Sequence, residues 1–317
     1  MTFVLAHLSD PHIGPLPPVP FRKLLNKRLT GTLNWHSSRA TIHNMDVLEA
    51  IFDDILAHNP DHIALTGDLV NVGYAPEFQQ ALARTQRLGD GHKVSIVPGN
   101  HDAYTGESLP EMLKVFRPFM RDDASEGEAT FPYLRKRSNI AFIGVNTGIP
   151  TLPFFATGAL GAFQRARLAA MLDEARQEGL FRVVMIHHPP LRRAARFGRG
   201  LNDAEAVTEL LAEHGAELVL HGHNHRHSLH LVEESQGAEG RNAGKEKPGT
   251  IPVLGVASAS AVPGTPRHRA EYHLIRIDTK TGAMDITRRG FREHGLEIEN
   301  IDLLTFPPKV PLRPAGA

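Results

Sequence analysis

Five short stretches of this 317-residue sequence hold side chains whose types and placement could do chemistry. They are LSDPHIG with Asp10 and His12, TGDLVN with Asp68, PGNHDAY with Asn100, His101 and Asp102, IHHPP with His187, and HGHNH with His223 and His225. Each follows an apolar run that reads as a buried strand. In an open α/β sheet the carboxyl ends of the strands converge on one crevice, so residues remote in sequence become neighbours there. The gathered groups are carboxylates, imidazoles and an amide oxygen, a set that suits manganese, iron, zinc or cobalt better than calcium. There is no cysteine, so thiolate ligands and disulfides are excluded. Asp10, His12, Asp68, Asn100, His187, His223 and His225 are too many donors for one catalytic ion, which takes about three protein ligands and keeps a position open for water. Two transition-metal ions sharing a carboxylate fit better. Asp68, alone at its strand end beside Gly67, is the natural bridge between ions ~3.5–4 Å apart.

The ordered series DPH, GDLVN, GNHD, HHPP and GHNH resembles the calcineurin-like metallophosphoesterase family over roughly residues 2 to 226, and looks most like its branch of small-molecule phosphodiesterases acting on cyclic nucleotides or glycerophosphodiesters. The resemblance implies that Asp10, His12 and His225 hold a first metal, that Asn100, His187 and His223 hold a second, and that Asp68 bridges them. It also implies that His101 faces the substrate as a catalytic group; Asp102 beside it either orients or charges that ring or is a helix-start or turn residue. Two cations would lower the pKa of a shared water to give a metal-bound hydroxide and would neutralise the phosphoryl oxygens. His101 would then stabilise the developing oxyanion or protonate the departing alkoxide. The expected activity is therefore a dinuclear phosphodiesterase of small phosphoesters. A phosphomonoesterase, a nuclease and a non-catalytic metal-binding scaffold are the alternatives.

Apolar spacing supplies the elements that must position these groups. Strands are predicted at Thr2 to Leu8, His62 to Thr66, Val94 to Val97, near Tyr133, at Ile140 to Val145, Phe181 to Ile186 and Glu217 to Leu220. Helices are predicted from about Met45 to Ile55, Pro76 to Leu88, Leu109 to Met120, Ala162 to Glu178 and Ala204 to Glu213. After Arg226 the pattern changes to antiparallel strands, at Ser228 to Val232, Ile251 to Ala257, Tyr272 to Asp278 and Ala283 to Thr287. The fold class expected is α/β, with two stacked mixed sheets flanked by helices in a four-layer α-β-β-α sandwich. Residues 1–305 are expected to form a single domain with an insertion at about 15–40, followed by a Pro-rich tail over 306–317. Glu233 to Thr250 reads as a loop.

Charge and composition narrow the function further. Lys plus Arg and Asp plus Glu both total 35, so no long-range basic field invites polymeric nucleic acid. The start lacks a basic n-region and no segment is long enough to span a bilayer, so a cytoplasmic protein is expected. In the insertion, Phe21, Leu24, Leu25 and Leu29 recur at helical spacing among Arg22, Lys23, Lys27 and Arg28. It is read as a lid packed on the active-site rim, with peripheral membrane contact as the alternative. Arg192, Arg193, Arg196 and Arg199 either pair with substrate anions or form a solvated basic loop. Histidines without a defined partner, namely His7, His36, His43, His58, His62, His92, His188 and His214, are read as core or surface residues. His188 joins them because strand alternation gives the metal-facing direction to His187. His221 and His227 are read as structural. The β-rich segment after Arg226 could pair two copies as a homodimer.

Overall fold

The computed structural model describes the chain apart from residues 124–126, 128, 193, 236–248, 264–268, 293–296 and 309–317. The described strands are β1 (Thr2–Leu8), β2 (His62–Leu65), β3 (Val94–Ile96), β4 (Tyr133–Arg137), β5 (Ile140–Gly144), β6 (Phe181–Met185), β7 (Leu218–His221), β8 (Ser228–Glu233), β9 (Thr250–Gly255), β10 (Glu271–Asp278), β11 (Met284–Phe291) and β12 (Ile298–Phe306). They form two six-stranded sheets, ordered β12-β11-β10-β1-β2-β3 and β4-β5-β6-β7-β9-β8. Within the first, β1, β2 and β3 run parallel; within the second, β5, β6, β7 and β9 do. Antiparallel strands complete both sheets. The parallel centres are buried on both faces, which is why β2 and β6 carry no exposed position.

The α-helices are α1 (Arg28–Asn34), α2 (Ala40–Ile42), α3 (Met45–Ala57), α4 (Ala75–Thr85), α5 (Ser108–Val115), α6 (Gly161–Gln177) and α7 (Ala204–His214), with a π-helical turn at Trp35–Arg39 between the first two. Asn44 starts α3 by accepting the amides of Asp46 and Val47 at 2.7 and 3.3 Å. Leu48, Ile51, Phe52 and Ile55 then fall on one face and join the core of the first sheet. Leu168, Leu172, Val207 and Leu211 of α6 and α7 cover Val184, Val219 and Val253 of the second sheet. Between the sheets Phe3 and Phe142 meet at 6.1 Å between ring centroids. Two mixed sheets flanked by helices are thus the architecture expected from the strand and helix order. Among the described residues no helix is long and apolar enough to cross a membrane.

Three expectations change. Residues Ile298–Phe306, assigned no element above, are the edge strand β12, paired antiparallel with β11. An edge strand wet on both sides carries Glu299 and Asp302, which dilute the alternation a strand reading depends on. Phe306 closes that strand, so the Pro-rich stretch starts after it, and 309–317 lie outside the described residues. Glu233 and Thr250 likewise end β8 and begin β9, and 236–248 between them lie outside the described residues. The insertion does fold onto the rim, through buried Arg28 and Trp35, but its apolar stripe faces the other way: Phe21, Leu25 and Leu29 are exposed. Arg28 explains the inversion. Its guanidinium donates to the Val72 and Gly73 carbonyls at 3.1 and 2.8 Å and to Ser108 Oγ at 3.2 Å, which turns the polar face of α1 inward.

Candidate metal centre

Asp10 and His12 follow β1, Asp68 follows β2, Asn100 and His101 follow β3, His187 follows β6, and His223 and His225 follow β7. These loops are tied to one another through the backbone. Asp10 N donates to Gly67 O at 3.0 Å, His12 N to Asp68 O at 3.1 Å, and Gly222 N to His187 O at 3.2 Å. The turns are tight enough that Asp10, His12, Asp68, His223 and His225 all have positive φ, between 39° and 70°. Among the described residues only three other non-glycine positions do, Asn59, Ser138 and Phe154. Left-handed backbone in Asp and His costs free energy and concentrates where a site over-determines it. Gly67, at φ 95°, has room for nothing more: a Cβ there would lie 2.7 Å from Gly99 N and from His187 Nδ1.

The side chains converge in two groups that meet at Asp68. On one side His225 Nε2 lies 3.3 Å from Asp10 Oδ1 and 3.2 Å from His12 Nε2, and His12 Nε2 is 3.8 Å from Asp68 Oδ2. On the other, His187 Nε2 is 3.4 Å from Asp68 Oδ2 and 3.3 Å from Asn100 Oδ1, while His223 Nδ1 is 2.9 Å from Asn100 Oδ1. Asp10, His12, Asp68 and His225 each offer a ligand atom, all within 4.8 Å of one another. The far ring nitrogens are engaged: His12 Nδ1 faces Val70 O at 3.2 Å and His187 Nδ1 faces Thr66 O at 2.6 Å. Each contact fixes a proton on Nδ1 and points Nε2 at the cluster, as a metal-ligating imidazole requires; His187 would offer its Nε2 lone pair once an ion displaces the second proton.

A cation fits this donor set. Asp10 Oδ1 and His223 Nε2 are buried without a hydrogen-bond partner, although buried polar atoms are nearly always paired. The Nε2 atoms of His12 and His225 face each other at 3.2 Å, close enough for one ion to take both. Burial, reinforced by neighbouring His43, holds His12 well below the usual imidazole range, so its ring is neutral. Burial alone would raise the Asp68 carboxyl, but His187, His101 and His12 hold it well below the usual carboxylate range. Burial would lower His187 in turn, and Asp68 instead raises it to about 9.

His101 stands at the mouth of the cluster. Its backbone N–H donates to Asp68 Oδ1 at 2.7 Å, its Nδ1 lies 2.5 Å from Asn71 O, and its ring stacks on Tyr104 with centroids 5.4 Å apart. Burial, with Arg39 adding to it, lowers its pKa to about 3, so the ring is neutral with its proton on Nδ1. Asp102 behaves differently from the expectation that it would orient or charge this ring. Its Oδ1 accepts the amides of Leu69 and Val70 at 2.9 and 3.2 Å, and its Oδ2 accepts Gly99 N at 2.8 Å. No hydrogen bond joins it to His101. Asp102 therefore clamps the loops after β2 and β3 together, and burial plus the charge of Asp68 raise its pKa to about 7.

Three further residues border the centre that local spacing did not single out. His43, set aside as an ordinary histidine, has its ring 4.5 Å from that of His12 and its Nδ1 2.8 Å from Ser260 Oγ. His188 lies past the end of β6, where strand alternation no longer governs direction. Its ring sits 4.4 Å from that of His223, with Nδ1 held by Thr147 Oγ1 at 2.8 Å. Arg39 reaches in from the insertion to 3.3 Å from His101 Nδ1. Only HHPP carried a hint of any of them, in its doubled histidine. His7 and His62 are core residues as expected, bonded to Thr66 Oγ1 at 3.0 Å and Ser95 Oγ at 2.8 Å. A cavity of about 840 Å³ opens over the cluster, bordered by Asp68, Asn100, His101 and His223 below and by Arg39, Arg196 and Arg199 above.

Comparison with known proteins agrees with this picture. A sequence model of the calcineurin-like phosphoesterase family matches residues 3–227. A glycerophosphodiester phosphodiesterase from Enterobacter lignolyticus is 29% identical over 189 residues, which cover 59% of this chain and 57% of that protein, so the match spans little more than half of the relative's length. A dimetal phosphatase from Danio rerio superimposes with a TM-score of 0.58 at 13% identity, over 97% of this chain and 99% of that one. A purple acid phosphatase from yellow lupin (Lupinus luteus) seeds gives 0.60 at 13% identity, over 97% of this chain and 54% of that one. At such identities these structures speak for the fold alone.

Proposed function

The chain belongs to the calcineurin-like phosphoesterase family, and from that membership we propose that it is a dinuclear metal-dependent hydrolase of small phosphodiesters. The observation that carries the reading is the position of Asp68: its buried Oδ2 stands 3.4 Å from His187 Nε2 and 3.8 Å from His12 Nε2, one imidazole from each group. Asp10, His12 and His225 would hold one ion, Asn100, His187 and His223 the other, and Asp68 both. Two such ions, when bound, activate a water for attack on phosphorus and neutralise the phosphoryl oxygens.

The remaining residues bind and orient. Arg39, lining the cavity above Asn100, offers planar donors to a phosphoryl oxygen. In the metal-free chain His101 is neutral and its Nδ1–H donates to Asn71 O, which leaves Nε2 as an acceptor toward the substrate side of the reaction. Asp102 keeps the loops after β2 and β3 in register, which fixes Asp68 and Asn100 relative to each other. Preference for diesters is supported by the Enterobacter relative.

The test compares rates on bis(4-nitrophenyl) phosphate and 4-nitrophenyl phosphate for protein reconstituted with manganese, with metal content measured on the same sample. Two ions per chain and faster diester cleavage are expected. Faster monoester cleavage overturns the diester assignment, and two bound ions without hydrolysis of either ester would leave a metal-binding scaffold.

A further inference from the structure

Three segments surround the mouth of the cavity, and all are unusual in the same way. Residues 15–44 contain Arg22, Lys23, Lys27, Arg28 and Arg39, and residues 187–202 contain Arg192, Arg193, Arg196 and Arg199; neither these two nor the third, residues 147–160, contains an Asp or Glu. In a chain whose charges balance at 35 against 35, that is a strong local asymmetry. Part of it is neutralised from outside the segments, since Lys23 and Arg28 pair with Glu107 and Arg192 with Glu205. Among the described residues Arg22, Arg196 and Arg199 have no carboxylate partner.

The same segments carry exposed apolar side chains at their tips. Leu25 and Leu33 are 71% and 62% exposed, Leu152 and Phe154 74% and 88%, and Phe197 100%. The tips form a joined rim. Lys27 Nζ donates to Thr151 Oγ1 at 2.6 Å and Phe155 O at 3.0 Å, and Ala156 N donates to Gly198 O at 2.9 Å. Phe154 is held out at φ 72°, a conformation a phenylalanine rarely adopts. Side chains this exposed protrude instead of lining a groove, so they suit a fluid apolar layer better than a shaped pocket.

We propose that this basic rim with apolar tips docks on an anionic lipid surface and sets the mouth of the cavity at the level of the headgroups. Leucine and phenylalanine would enter the acyl boundary while the arginines meet lipid phosphates. A second copy of the chain fits less well, because a two-fold contact through this face would bring the unpaired arginines of both copies together. Docking rests on the rim alone, so it stands or falls independently of the hydrolytic reading.

The experiment is flotation of the full chain with phosphatidylcholine vesicles, with and without phosphatidylglycerol. The parent is compared with the variant Leu29→Gln, Leu33→Gln, Phe154→Asn, Phe197→Ser. Glutamine keeps the helix and asparagine tolerates positive φ, and none of the four residues touches the metal cluster, so circular dichroism and cleavage of the soluble diester should not change. Expected are flotation with anionic vesicles only, loss of it at high salt, and about a tenfold or greater loss in the variant. Flotation of the parent with neither vesicle, equal flotation with both, or undiminished flotation of the variant overturns the proposal. So does light scattering that finds a parent dimer and a variant monomer. A parent that floats but cleaves no phosphoester would refute the hydrolase reading and leave the docking surface in place.

Discussion

Replacing Asp68 by Asn is the most direct perturbation of the centre. The change is nearly isosteric and keeps an Oδ1 acceptor for the His101 amide at 2.7 Å, so the loop after β3 retains its anchor. What disappears is a negative charge 3.4 Å from His187 Nε2 and 3.8 Å from His12 Nε2. At an effective dielectric of ~20, a unit positive charge at the nearer distance is attracted by about 5 kcal/mol. Local relaxation trims this, and about 3–5 kcal/mol is the usual cost of removing one partner from a buried charged pair. At about 1.4 kcal/mol per tenfold, manganese binding should weaken by roughly two to four orders of magnitude. At a manganese concentration ~100 times the parent's dissociation constant, each ion stabilises the fold by about 2.7 kcal/mol, and the variant should lose most of that. Metal analysis after gel filtration and thermal unfolding with and without manganese read both quantities. The metal-free protein gives a second readout. There His187 is raised to about 9 from the ordinary 6.5, so its pairing with Asp68 contributes about 3 kcal/mol that is fully present below pH 6.5 and is lost as the pH rises through 9. In Asp68→Asn this slope should vanish. A variant that retains two ions with near-parental affinity, or the same stability slope between pH 6.5 and 9, would refute the bridging role.

Other variants separate binding from positioning. His101→Ala should keep two ions per chain and lose about 10²–10⁴-fold in diester cleavage; loss of an ion instead would move His101 into the ligand set. Asp102→Asn turns an amide group toward Gly99 N–H, and urea unfolding should show a loss of about 2 kcal/mol, with the pH profile of the remaining activity unchanged. A shifted profile would restore a direct link to the His101 ring. Arg28→Met removes donors from the carbonyls of Val72 and Gly73 in a fully buried setting and should cost about 3 kcal/mol. Less than about 1 kcal/mol would mean that the insertion is held on by something else.

What local sequence conveys here is the period of an element, and the direction of each face depends on partners it does not name. The ligand motifs were legible because parallel strands fix where their carboxyl ends lie, so Asp10, Asp68, Asn100, His187 and His223 could be placed together without knowing any contact. The insertion shows the opposite case. Its leucine spacing announced an amphipathic segment, yet Arg28, bonded to the Val72 and Gly73 carbonyls, decides which face turns inward and so brings Arg39 and His43 to the centre. Asp102 is next to His101 in the chain, but three loop amides without other acceptors draw its carboxylate away. His188 follows the same logic, since alternation holds only as far as Met185. The left-handed conformations at Asp10, His12, Asp68, His223 and His225 had no glycine to betray them. Backbone bonds such as Asp10 N to Gly67 O, together with the Asp102 clamp, tie these loops to one another. In the proposed centre the cations would therefore meet ligands gathered by the fold: the cost of ordering the separate loops would fall largely on folding the sheets, leaving more of the ions' binding free energy for affinity and catalysis.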